Sequence, residues 1–199
     1  MNEAAASREE RFAEPPEVQE RNLWLGVRVM AGVTIMFFLA FVFAYFYLRS
    51  LNNADDWRRP GIDPPQAYGA VIAGLFALSA AAFWFADWAA RRRSRMWLPA
   101  AGAALPLGLA ACIVQGFEWA NLGFGPTKGG YASVFLGWTL LFTVFALVAI
   151  FWLEIVFATG VRHRRGERVY VPHGLDAASF YWTLLAVLAV IAWVILYLL

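Results

Sequence analysis

The chain has 199 residues, 61% of them hydrophobic and 15% charged, with a net charge of +2. A soluble domain of this length is about 45–50% apolar, so an excess gathered into runs of about 18 or more residues points to lipid as the solvent. The near-zero charge argues against a nucleic-acid partner, and the single cysteine, Cys112, excludes an internal disulfide.

Residues 1–22 are rich in Glu, Arg, Ala and Pro and read as a cytoplasmic surface tail without the apolar core of a signal peptide. Residues 23–199 read as one transmembrane helical domain, an all-α bundle of five spans. The first span, 23–48, is uncharged from Val29 and ends in the aromatic cluster Phe41, Phe43, Tyr45, Phe46 and Tyr47, which suits a membrane interface. A Pro- and Asp-bearing loop leads to the second span, 68–88, which ends at Asp87 and a basic turn of Arg91, Arg92, Arg93 and Arg95. The third span, 96–121, contains Pro106, which is expected to kink it. A Gly/Pro loop, 122–130, leads to the fourth span, 131–159, with Glu154 near its end. A second basic loop, holding Arg162, Arg164, Arg165 and Arg168, precedes the fifth span, 175–199.

Orientation follows from the arginines. The turn at 89–95 and the loop at 160–173 carry four each, whereas the 122–130 loop has only Lys128. Short basic loops stay in the cytoplasm. With five spans, this places the N-terminus inside and the C-terminus outside. The expected location is the plasma membrane.

Glu118 is the only charged residue between Arg95 and Lys128. A charge within a span is costly unless it reaches an interface or a partner. It is therefore expected to be a helix-end carboxylate held by a neighbouring arginine or a backbone donor. Arg28 and Glu154 lie at similar depth inside their spans, so an ion pair between them, or between Arg28 and Asp87, is expected unless each side chain snorkels to the interface. Arg91, Arg92, Arg93, Arg162 and Arg165 are candidates for lipid-headgroup phosphates. The two histidines, His163 and His173, share one loop and none lies in a span. The spans therefore lack the His and Cys set that a haem, copper or zinc centre takes. Mid-span Thr34, Ser79, Gln115, Thr139 and Thr143 come with no mid-depth charge and no repeat, which disfavours a stand-alone transporter.

Several stretches resemble subunit III of the haem–copper oxidases, the cytochrome c and quinol oxidases. Leu25-Gly26, Met36-Phe37-Phe38 and Ala44-Tyr45-Phe46-Tyr47-Leu48-Arg49 match the family's first shared helix. Gln115-Gly116, Glu118-Trp119, then Tyr131, Ser133 and Phe135, match its QGxEW and YxSxFF motifs. Phe180-Tyr181-Trp182 opens the last helix and Tyr197 closes it, as in the family. The chain is similar to the five-helix form, which lacks the first two helices of the seven-helix one. Where the family has glutamate in its first shared helix, this chain has Thr34. Where it has two histidines, this chain has Phe142 and Phe145. Where the last helix has histidine and aspartate, this chain has Thr183 and Ala186.

The resemblance implies a divergent, non-catalytic subunit with no catalytic, cofactor or metal residue of its own. Haem and copper are expected in the partner subunits, with this chain packed on subunit I, binding phospholipid and supporting electron transport and proton uptake. It marks Glu118, Trp119, Arg49, Tyr181 and Trp182 as candidate helix-end anchors or contacts to a partner or lipid. An accessory subunit of a nitric oxide reductase or another electron-transfer complex is the alternative.

Overall fold

The computed structural model describes residues 15–51, 57–58, 60–162 and 174–199. Five helices in it are long and apolar enough to cross a membrane, and the described residues contain no strand. They are α1 (Pro16–Ser50), α2 (Gln66–Arg91), α3 (Trp97–Asn121), α4 (Gly130–Arg162) and α5 (Leu175–Trp193). A short 3-10 turn, Pro126–Lys128, precedes α4, and α5 runs on into a π-helical turn, Val194–Leu198.

The span boundaries shift where local chemistry allows it. α1 is helical from Pro16, inside the stretch expected to be a tail. Proline suits the first helical position, and the Glu, Gln and Arg that follow are good helix formers. At 35 residues α1 is about 50 Å long, well beyond the ~30 Å hydrocarbon layer. α3 continues through Pro106 to Asn121. α5 begins after Gly174, whose φ of 85° is a left-handed conformation that glycine adopts without strain.

α4 and α5 sit at the centre. α1 packs against both, and the α2–α3 hairpin packs on their other side through α5 and α4 respectively. Aromatic contacts show that α1 and α4 are antiparallel: Phe37 meets Phe145, Phe38 meets Phe142, Phe41 meets Trp138, and Tyr45 meets Tyr131. α1 and α5 run parallel, joined by Trp24 Nε1 donating to Asp176 at 3.0 Å and by the Thr34 and Tyr181 hydroxyls, 2.9 Å apart.

Small residues set the closest approaches. The buried stripe of α3 is Ala101, Ala104, Gly108, Ala111, Gln115 and Glu118, an alternation of three and four residues that keeps one seam facing its neighbours. A Cβ on Gly108 would stand 2.6 Å from Trp182 Cζ2, so the indole fits only over a glycine. Beneath it, Ser79 Oγ donates to the Ala104 carbonyl at 2.6 Å and accepts Trp182 Nε1 at 3.0 Å. One hydroxyl thus links α2, α3 and α5.

Candidate functional site

The α3 seam ends on its two polar members. Their spacing from Ala111 puts Gln115 and Glu118 on the same inward face as the alanines above them. Glu118 is 0% exposed. Gln115 Nε2 donates to its Oε2 at 2.6 Å. The Tyr197 hydroxyl, from the π turn, lies 2.7 Å from Oε1 and 2.9 Å from Oε2. The carboxylate is therefore held by neutral donors. Neither the arginine nor the backbone donor expected from sequence appears among its described partners.

The surrounding shell draws in the remaining helices. Trp119 Nε1 donates to Thr139 Oγ1 on α4 at 3.1 Å, and Thr139 in turn donates to the Phe135 carbonyl at 2.9 Å. The end of α5 leaves carbonyls without helical partners. Two of them are met from outside: the Tyr131 hydroxyl donates to the Leu196 carbonyl, and Gln66 Nε2 to the Tyr197 carbonyl at 3.4 Å. Over this layer lie Tyr45, Trp57 and Tyr131, packed edge to face. The Arg58 guanidinium sits 4.7 Å above the Tyr131 ring and pairs with Asp63 at 2.8 Å.

Beside the carboxylate is a cavity of about 30 Å³ whose walls include Gly69, Gln115, Trp138, Thr139, Trp193 and Tyr197. Gly69 makes room for the ring edges of the α5 end, since a Cβ there would lie 2.7 Å from Tyr197 Cε1 and 2.8 Å from Trp193 Cδ1.

Comparison with protein-family models and with curated proteins returns no match to this chain.

The other candidate residues fall elsewhere. Tyr181 and Trp182 are each 1% exposed and lie sixteen and fifteen residues before Tyr197, roughly 24 Å away along α5. Tyr181 meets Thr34 and Trp182 meets Ser79, so both join helices within this chain and present no surface to a partner or lipid. Arg49 is exposed at the end of α1. Among the described residues Arg28 pairs with neither Glu154 nor Asp87, the partners expected from sequence. Asp87 binds Arg91, four residues on, at 3.1 Å, while Arg28 lies 5.7 Å over the Trp24 ring and Glu154 is exposed. Arg91, Arg92, Arg93 and Arg162 are exposed, with Arg92 stacked 4.1 Å over Trp88. Arg165, His163 and His173 lie outside the described residues. Among the described residues no group of three or more His, Cys, Asp or Glu side chains could hold a metal.

Sequence reasoning missed Trp57 and Arg58, which it left in a polar loop. A tryptophan inside a run of Asp, Arg and Pro was the available signal, because so large an apolar ring seeks cover.

Of the five positions set against ionisable residues of the resembled family, Phe142, Phe145 and Ala186 are apolar, while Thr34 and Thr183 carry hydroxyls. Phe142 packs on Phe38 and Phe76, and Phe145 on Phe37 and Phe38, one turn from Thr34. Thr183 and Ala186 line an apolar groove of about 590 Å³ with Ala77, Ala80, Ala81 and Trp84.

Proposed function

We propose that this chain is a divergent, non-catalytic subunit III of a haem–copper terminal oxidase in a plasma membrane, with its N-terminus in the cytoplasm. In this reading it packs on the haem- and copper-bearing subunit I, binds lipid and supports aerobic electron transport and proton uptake.

The observation that carries the reading is the Glu118 clamp. Residues from three separated stretches of the resemblance meet there: Gln115, Glu118 and Trp119 from one, Tyr131 and Phe135 from the next, and Tyr197 from the last. A buried carboxylate held by neutral donors locks α3 to α5 and gives a partner subunit a rigid bundle to dock on. Glu118 thus serves as an anchor between helices, with the exposed Arg91, Arg92, Arg93 and Arg162 facing headgroup phosphates and the Ala80–Thr183 groove receiving an acyl chain.

The test begins with the native complex. Purification in mild detergent should bring down a large, histidine-rich subunit with a haem spectrum. A stable haem-free assembly would sink the proposal. Glu118→Gln should lower retention of this chain in the complex more than it lowers turnover per intact complex. Full retention with lost turnover would count against the anchor role.

An accessory subunit of a nitric oxide reductase is the second reading, favoured by the absence of an ionisable side chain at Thr34, Phe142, Phe145, Thr183 and Ala186. Copper in the large subunit supports the oxidase, and non-haem iron supports the reductase.

A further inference from the structure

The cavity beside Glu118 has two walls that its chemistry leaves incomplete. The indole Nε1 groups of Trp138 and Trp193 are both buried, and neither has a hydrogen-bond acceptor among the described residues. Trp138 is 1% exposed, so bulk water does not serve it. Buried N–H groups are nearly always partnered, because an unpartnered one keeps its full desolvation cost. Both tryptophans line the same cavity. Trp193 turns toward the Gly69 wall the ring edge that bears Cδ1, the atom bonded to Nε1, which would lie 2.8 Å from a Cβ on Gly69.

The neighbours offer few acceptors. Ile72, Phe142, Ala189 and Ala192 are apolar, Thr139 Oγ1 is engaged by Trp119 Nε1, and neither cavity indole N–H reaches the wall oxygens of Thr139, Gln115 or Tyr197. What fits is an acceptor that is not part of the protein and is small. The cavity measures about 30 Å³, against roughly 10–15 Å³ needed for one water. An internal water also needs two to four polar partners. Two indole donors, with the Gln115 amide and Tyr197 hydroxyl in the same wall, supply them.

We propose that this cavity is a hydration site. One or two ordered water molecules accept the Trp138 and Trp193 N–H groups and return hydrogen bonds to the Gln115 and Tyr197 oxygens. The Glu118 clamp is then wet on its cavity side. The inference rests on cavity size and donor chemistry and is independent of the oxidase reading.

The full chain in lipid nanodiscs, with ¹⁵N-labelled indoles, tests this directly. Magnetisation transfer from water should reach the N–H signals of Trp138 and Trp193, each assigned by its loss in Trp138→Phe or Trp193→Phe. Trp182, which is 1% exposed and whose N–H donates to Ser79 within the protein, is the internal control and should receive none. No transfer to either cavity indole overturns the proposal. A second variant reads out by sign. Trp138→benzothienylalanine keeps the ring shape and replaces N–H with sulfur. A wet site loses a hydrogen bond, so the unfolding constant should rise roughly 2- to 10-fold. An unchanged or smaller unfolding constant means that an orphaned donor was removed from a dry or lipid-filled cavity, and overturns the proposal.

Discussion

Tyr197→Phe removes one oxygen and tests the clamp. The phenol has a single proton, shared between Glu118 oxygens at 2.7 and 2.9 Å, so it makes one charge-assisted bond in two settings. Its loss leaves Gln115 as the only remaining side-chain donor, among the described residues, to a carboxylate that is 0% exposed. Hydrogen bonds to charged groups contribute about 1.5–3 kcal/mol. Bonds between transmembrane helices are often weaker, about 0.6 kcal/mol on average, because the separated helices find other partners. Here burial and charge favour the upper range, about 2–3 kcal/mol, or a roughly 30- to 150-fold larger unfolding constant. Reversible unfolding in mixed detergent and SDS micelles, followed by tryptophan fluorescence, measures this. Glu118→Gln should cost less, about 0.5–1.5 kcal/mol, since an amide still accepts from both donors. In the Glu118→Gln background, Tyr197→Phe should cost about 1 kcal/mol less than in the parent. A cost below about 0.5 kcal/mol for Tyr197→Phe, or strict additivity of the pair, would refute the reasoning.

Four further variants probe the frame around the clamp. Ser79→Ala strips the bridge between Trp182 Nε1 and the Ala104 carbonyl and should cost about 1–3 kcal/mol in the same assay, because a buried indole N–H loses its acceptor. Gly69→Ala should cost about 1–3 kcal/mol by overpacking against Tyr197 and Trp193. Gly116→Ala, where an added Cβ meets nothing within 4 Å, should gain up to about 1 kcal/mol. Arg58→Ala should lower thermal stability by no more than about 1–1.5 kcal/mol. Asp63 is 72% exposed, so added salt should remove the ion-pair share and leave the contribution of stacking on Tyr131.

Five runs of apolar residues were enough to place five helices, because lipid demands that each backbone satisfy itself. The ends of α1 and α5 were harder, since helix propensity and a π turn are local matters that hydropathy does not register. Glu118 stood out in the sequence by charge alone, yet its partners did not. The three-and-four spacing from Ala101 already aims it inward, and a residue so aimed is met by whatever faces it on α5. The missing ion pair has the same lesson in reverse. Arg28 and Glu154 match in depth, but each is one residue past a buried neighbour, Val27 and Leu153, and so turned about 100° off the packed face. Depth is legible from hydropathy, whereas azimuth requires knowing which seam is buried. The Trp57–Arg58 cover over Tyr131 depends on a loop folding back across the bundle, which no periodicity encodes.

The two ends of the clamp are made at different times. Tyr197 follows Glu118 by 79 residues, so a ribosome adding roughly 5–20 residues per second leaves the carboxylate without its phenol for about 4–16 seconds. During that interval α4 and α5 are synthesised while Glu118 has Gln115 as its nearest donor, and the Leu196 and Tyr197 carbonyls that receive Tyr131 and Gln66 do not yet exist. A nascent chain stalled before α5 therefore holds an incompletely satisfied acid among its helices. The last turn of α5 is what completes the clamp: until it docks, Glu118 lacks its phenol donor.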